Sequence, residues 1–238
     1  MARVFVQISA DDADRATVDG SGARHLRARR LRPGDHFEAI VAPGEVRIAR
    51  IESLSNHGAE LWLGEAVPAG EVDPPSPLIL ACALADLSRF DTVVEKATEL
   101  GASAVLPFRA NRSQFSRPTA SRQARWERLA LAACEQCGRT SPPRIFESVD
   151  FDQVAQVLPR ETHQIAFDPT GETLWGGDAP AKRPLALFIG PEGGFTPEEI
   201  GEQRARGAEI RSLGPRILRF ETAAIAALTI AGLIPSGR

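Results

Sequence analysis

Short apolar runs at residues 4–8, 36–41, 46–51 and 59–63, separated by Gly, Pro and Asn, have the length and composition of strands. They predict a small β-barrel over residues 1–70. Residues 69–77 then gather Gly70, Pro74, Pro75 and Pro77, which continue neither a helix nor a central strand, so a domain boundary is expected there. From residue 78 to 238 the pattern changes: apolar runs at 78–84, 104–108, 164–167 and 185–189 alternate with helical periods at 89–100, 121–137, 197–206 and 220–233. Alternation of that kind predicts an α/β sheet. Trp126, Leu129 and Ala133 share one helical face, which makes Trp126 a core residue rather than a base-stacking platform.

The 238 residues, 43% hydrophobic and 25% charged, are ordinary for a folded chain of one or two domains. Residues 223–235 form the longest apolar stretch, too short for a bilayer, and Asp11, Asp12 and Asp14 stand where a signal peptide would be apolar. No membrane contact and a cytoplasmic location are expected. The three cysteines make no closed disulfide set, and Cys134 and Cys137 fall late in a helical pattern, where the spacing reads as structural. His25, His36, His57 and His163 are scattered, and no metal is expected.

A net charge of -3 excludes a protein that coats nucleic acid indiscriminately. Two stretches are nevertheless cationic. Arg24, Arg27, Arg29, Arg30 and Arg32 occur without an intervening acid, and between residues 102 and 145 eight arginines face two acids, Glu127 and Glu135. Arg122, Arg125 and Arg128 recur every three residues, so one helix face is expected to meet RNA phosphates.

Two loops carry the candidate chemistry. Residues 187–200 read as buried strand, glycine loop and helix, with Thr196 as N-cap and Pro197 at the first helical position. Gly190, Gly193 and Gly194 permit close backbone approach, but Glu192, Glu198 and Glu199 exclude a phosphate loop. Residues 212–223 form a second loop, in which Ile217 and Leu218 are placed to sandwich an aromatic base beside Arg219 and Glu221. A salt bridge between Arg219 and Glu221 is the plain structural alternative. A ligand is expected between the two loops, and Gly194→Val is expected to block it.

GPEGGFTPEEI at 190–200 and LGPRILRFETAA at 213–224 resemble the signatures of the RsmE family of ribosomal RNA small-subunit methyltransferases. The resemblance continues through EKATELGA at 95–102, NRS at 111–113, EQCGR at 135–139 and HLRARRLRPGD at 25–35. It implies a SPOUT α/β methyltransferase domain with a C-terminal trefoil knot, preceded by a PUA-like RNA-binding β-barrel, in a homodimer. It departs from the family at Asp86, Leu87, Ser88 and Arg89, where a lysine is common, and at Phe220, where threonine is.

The implied reaction transfers the methyl group of S-adenosylmethionine to N3 of a uridine in 16S ribosomal RNA. Phe167, Ile189, Gly190, Gly193, Gly194, Leu213, Gly214, Ile217, Leu218, Thr222 and Ala223 are the expected cofactor residues. Arg219, Glu221 and Glu192 are the catalytic candidates, one stabilising the uracil anion and the acids orienting it or taking its proton. Arg24, Arg27, Arg29, Arg30, Arg32, Arg112, Arg122, Arg125 and Arg139 are the RNA candidates. Methylation of another base or ribose, and a noncatalytic RNA-binding assembly factor, stay open as alternatives.

Overall fold

The computed structural model describes residues 3–70, 73–74, 76–114, 116–172 and 183–232. Leu233, the expected end of the last helix, lies outside them, as do Pro75 in the proline-rich connection and Lys182. The chain divides into two compact units, one of Met1–Val72 with Cys134–Ser141 and one of Asp73–Ala133 with Pro142–Arg238.

The first unit holds β1 (Arg3–Phe5), β2 (Gln7–Ile8), β3 (Arg15–Asp19), helix α1 (Gly20–Ala28), β4 (His36–Ala42), β5 (Glu45–Leu54) and β6 (Gly58–Val67). Its sheet order is β1-β4-β5-β6-β3-β2, parallel at β1–β4 and antiparallel elsewhere. The two edges, β1 and β2, are separated in the chain by Val6 alone, so one bent strand closes the sheet upon itself. Val4, Leu26, Phe37, Ile51, Leu61 and Leu63 fill the interior.

Helix α1 was not foreseen from its apolar period, because it buries only Ala23 and Leu26. Asp19 starts it, its carboxylate accepting from the amides of Ser21 at 2.8 Å and Gly22 at 2.9 Å. At its other end the Arg30 amide donates to the Arg27 carbonyl and that of Leu31 to Leu26, a Schellman closure. The residue that turns left-handed there is Arg30, at φ 62°, where glycine is usual.

The second unit holds β7 (Leu78–Ala83), α2 (Leu87–Glu99), β8 (Ala104–Arg109), α3 (Ala120–Cys137, whose last turn belongs to the first unit), β9 (Arg144–Ile145), β10 (Val149–Asp150), a 3-10 turn at Phe151–Gln153, α4 (Val154–Val157), β11 (His163–Glu172), β12 (Leu185–Ile189), α5 (Pro197–Ala205), β13 (Glu209–Arg211) and α6 (Phe220–Gly232). Its sheet is parallel throughout, in the order β10-β8-β7-β12-β11-β13 with β9 also beside β8. All six residues of β7 are buried, as a central parallel strand covered on both faces must be. Leu78, Leu80 and Cys82 join one core with Phe90, Trp126 and Phe220, while Ile79, Ala81 and Ala83 join another with Phe108, Phe188 and Phe195. Trp126 is fully buried, its ring 4.4 Å from that of Phe90.

In the first unit residues 135–140 act as a stitch. The Glu135 carboxylate accepts from the Phe5 amide at 3.1 Å, Arg3 donates to the Gly138 carbonyl at 2.5 Å, and the Thr140 hydroxyl accepts from the Gly44 amide at 3.0 Å. Arg139 is 4% exposed, which removes it from the expected RNA-facing set: a guanidinium covered by its own chain is closed to a phosphate. His25 accepts at Nε2 from Arg29 Nε at 2.9 Å and faces Glu135 through Nδ1 at 3.3 Å. That pattern belongs to the neutral imidazole, and burial followed by the Arg29 charge lowers the His25 pKa from its ordinary 6.5. Burial pushes the Glu135 carboxyl the other way, upward.

Candidate active site

Strands β12 and β13 end level with Phe167 of β11, and the loops that leave β12 and β13 line a cleft of about 120 Å³ with residues 167–169. Phe167, Ile189, Gly190, Leu213, Gly214, Ile217, Leu218 and Ala223 line it as the sequence predicts, and so do Glu192, Asp168, Ser212, Arg216 and Phe220. Ile217 is 95% exposed, an apolar side chain standing open to solvent. Gly214 is at φ +103°, which favours glycine, and a Cβ on Gly190 would come within 3.1 Å of the Phe195 ring, a tight contact that the ring would have to yield to.

Gly193, Gly194 and Thr222 stand outside this lining. A Cβ at Gly194 meets nothing within 4 Å, so valine there would not fill the cleft; its cost comes from φ +70°. Gly193 instead backs onto Arg112, whose Nη1 donates to the Gly193 carbonyl at 2.9 Å and the Phe195 carbonyl at 3.3 Å. Arg112 is thus occupied as a brace of the glycine loop. Glu199, read in the sequence only as a charge that repels phosphate, is 2% exposed. Its carboxylate accepts from the amides of Asn111 and Thr196, both at 2.8 Å, tying the NRS turn to the start of α5.

The segment at 86–89, where the chain departs from the family pattern, starts α2 with Asp86 as its cap. The Asp86 carboxylate accepts from the Ser88 amide at 2.9 Å and the Arg89 amide at 3.3 Å. Those hydrogen bonds, led by that of the Ser88 hydroxyl, hold its pKa below the usual carboxylate value. The cap sets the first turn of α2 so that Arg89 Nη1 lies 4.0 Å from Glu192 Oε1 and 3.9 Å from Glu221 Oε2. Glu221 therefore faces Arg89, not its sequence neighbour Arg219, which is exposed. Among the described residues Glu221 Oε2 is buried without a hydrogen-bond donor.

Of the expected RNA arginines in this unit, Arg122 and Arg125 share Asp91, at 3.2 and 2.8 Å, and Trp126 Nε1 donates to the same carboxylate at 2.9 Å. Among the described residues no three His, Cys, Asp or Glu side chains gather as a metal site requires. No helix among them is long and apolar enough to cross a membrane.

Sheet and cleft define the class, and the RNA methyltransferase domain model matches residues 72–232. A ribosomal RNA small subunit methyltransferase E from Synechocystis is 34% identical over 209 residues, covering 85% of this chain and 67% of its own. One of the same name from Bacillus subtilis is 26% identical over 96% of this chain and 95% of its own. The crystal structure of the Neisseria gonorrhoeae ribosomal RNA small subunit methyltransferase E bound to S-adenosyl methionine matches with a TM-score of 0.85 at 26% identity, covering 97% of this chain and 96% of that one. A Legionella pneumophila methyltransferase in complex with the cofactor SAM also gives 0.85, at 28% identity over 97% and 96%. The chain belongs to the ribosomal RNA small subunit methyltransferase E family.

Proposed function

We propose that this chain transfers the methyl group of S-adenosylmethionine to N3 of a uridine in 16S ribosomal RNA. The observation that carries the reading is the cleft itself, set at the ends of the parallel strands β12 and β13, between the two loops that match the family. Its residues fit the cofactor. Ile189, Leu213, Leu218 and Phe220 offer an apolar wall for an adenine, Gly190 and Gly214 leave backbone accessible, and Glu192 brings negative charge for a sulfonium.

When bound, S-adenosylmethionine supplies a methyl group already activated on sulfur. The chain's own tasks are to orient the base in line with it, exclude water and help remove the N3 proton. Glu192 lines the cleft, and Glu221, which has one buried oxygen lacking a donor, stands outside that lining; Arg89 lies within 4.0 Å of both, and either acid is a candidate proton acceptor. Arg219, exposed and leading into α6, is available to the developing anion on the base.

Three further features belong to the same reading. A trefoil knot is supported by the path of the chain: β12 enters between β7 and β11, β13 lies beyond β11, and α6 returns to pack on α2, β12 and β7. The closed sheet of the first unit is the PUA-like barrel, with Arg24, Arg27, Arg29, Arg30 and Arg32 on or just beyond its helix as an RNA surface, in a cytoplasmic protein. The active form is a homodimer, whose partner surface excludes Ala224, Ala227 and Leu228 of α6, buried within their own chain. Light scattering at assay concentration checks this last point.

The test of the function is transfer of labelled methyl from S-adenosylmethionine to small ribosomal subunits lacking the modification, followed by mapping of the methylated atom. Transfer to N3 of uridine is expected. Methylation of another base or a ribose would move the chain to a different activity of its class, and RNA binding without transfer would make it an assembly factor.

A further inference from the structure

Apart from the cleft, the second unit has a solvent-open notch of about 340 Å³ formed by the segment before α3 and the first turns of α3. Arg117, Arg122, Arg125 and Arg128 line it, with the hydroxyls of Ser116 and Ser121. Two carboxylates answer those four guanidiniums: Asp150 pairs with Arg117 at 2.7 Å, and Asp91 serves both Arg122 and Arg125. Arg128 makes no ion pair among the described residues, so the notch keeps a surplus of positive charge.

Leu87 closes one side of the notch, and two residues further along the first turn of α2 stands Arg89, 4.0 Å from the cleft-lining carboxylate of Glu192. A rise of about 1.5 Å per residue puts only about 3 Å of helix between Leu87 and Arg89. The first turn of α2 therefore borders the notch through Leu87 and reaches the cleft-lining Glu192 through Arg89. Beside Leu87 and Pro118 the notch sets four guanidiniums and the hydroxyls of Ser116, Thr119 and Ser121, donors that suit a phosphate oxygen.

We infer that the notch holds a backbone phosphate of the RNA strand flanking the nucleotide that enters the cleft. This rests on the methyltransferase reading for the identity of the strand, but not for the binding itself. Guanidiniums already tethered by Asp91 are held in place before RNA arrives, so Arg122 and Arg125 shape the notch while Arg128 supplies the uncompensated charge.

The experiment is a salt titration of binding to small ribosomal subunits lacking the modification, for the wild-type protein, Arg128→Ala, Arg128→Glu and Arg128→Lys, with S-adenosylmethionine affinity measured by calorimetry on each. Loss of one phosphate contact should lower the slope of log K against log salt by about 0.7 in Arg128→Ala, while Arg128→Lys keeps it. Arg128→Glu should weaken subunit binding roughly tenfold at low salt, with cofactor affinity unchanged. A wild-type slope in both Arg128→Ala and Arg128→Glu overturns the inference. Failure of the functional reading would look different: the wild-type protein would bind subunits with its full slope yet transfer no methyl group.

Discussion

The arginines of residues 24–32 and those of residues 109–128 look alike in sequence and differ in space. In the first stretch Arg24, Arg27, Arg30 and Arg32 make no ion pair among the described residues, and Arg27 spends its guanidinium on the Ser55 carbonyl. In the second, acids from distant elements neutralise much of the charge: Asp150 takes Arg109 and Arg117, and Asp91 takes Arg122 and Arg125. Charge counted along a chain is thus a poor measure of the charge a surface presents. A run of arginines keeps its field only where the fold brings no carboxylate to it.

Removing the shared acid tests this difference most severely. Asp91→Ala strands a buried Trp126 N–H and frees two guanidiniums, so urea denaturation should show a loss of about 2–3 kcal/mol. The same variant should bind RNA more tightly at low salt, because the second region would then resemble the first. Glu199→Ala should cost about 2 kcal/mol by the same assay, since two amides lose their acceptor, whereas Glu199→Gln retains one and loses less.

Arg27→Ala combined with Arg30→Ala should lower the salt slope of RNA binding by up to about 1.4, at about 0.7 per phosphate contact, and spare cofactor affinity in calorimetry. An unchanged slope would make the first region a solvated surface. The smallest conformational effect belongs to Arg30→Gly, which relieves a left-handed residue and should stabilise the protein by about 0.5–1 kcal/mol in thermal melts. Finally, His25 is held neutral when folded, so the unfolded chain binds the extra proton first. Stability should fall as pH drops below the ordinary value of 6.5, and His25→Asn should flatten that part of the pH profile.

The parallel sheet was legible because its strands are buried on both faces and read as unbroken apolar runs, as in β7 and β12. Helices α2, α3, α5 and α6 follow their apolar periods to within two residues over the described chain. Helix α1 escaped because it depends on the Asp19 cap and a Schellman closure rather than on an apolar face. In the site, glycines and apolar residues at 189–190 and 213–218 announced the cleft through local turn chemistry. Arg89 gave no such signal, because its two carboxylates lie about 100 and 130 residues away in sequence and only the sheet order brings them within 4.0 Å. Arg139 was misread for a related reason, since the fold buries it, while Arg112 is exposed and gives one nitrogen to the carbonyls of the glycine loop.

The position of β12 between β7 and β11 also constrains how this protein comes into being on the ribosome. Until residues 185–189 are synthesised, β7 and β11 have no partner for the ladders they will share with β12. A nascent chain halted before that point would carry two apolar strand edges with unpaired amides and carbonyls, the kind of surface that recruits other chains. Because every ladder in the second sheet joins parallel strands, its contacts span long stretches of chain and form slowly. The smaller sheet, complete by Val67, has no such wait, and the two halves of the chain should reach their native states on different clocks.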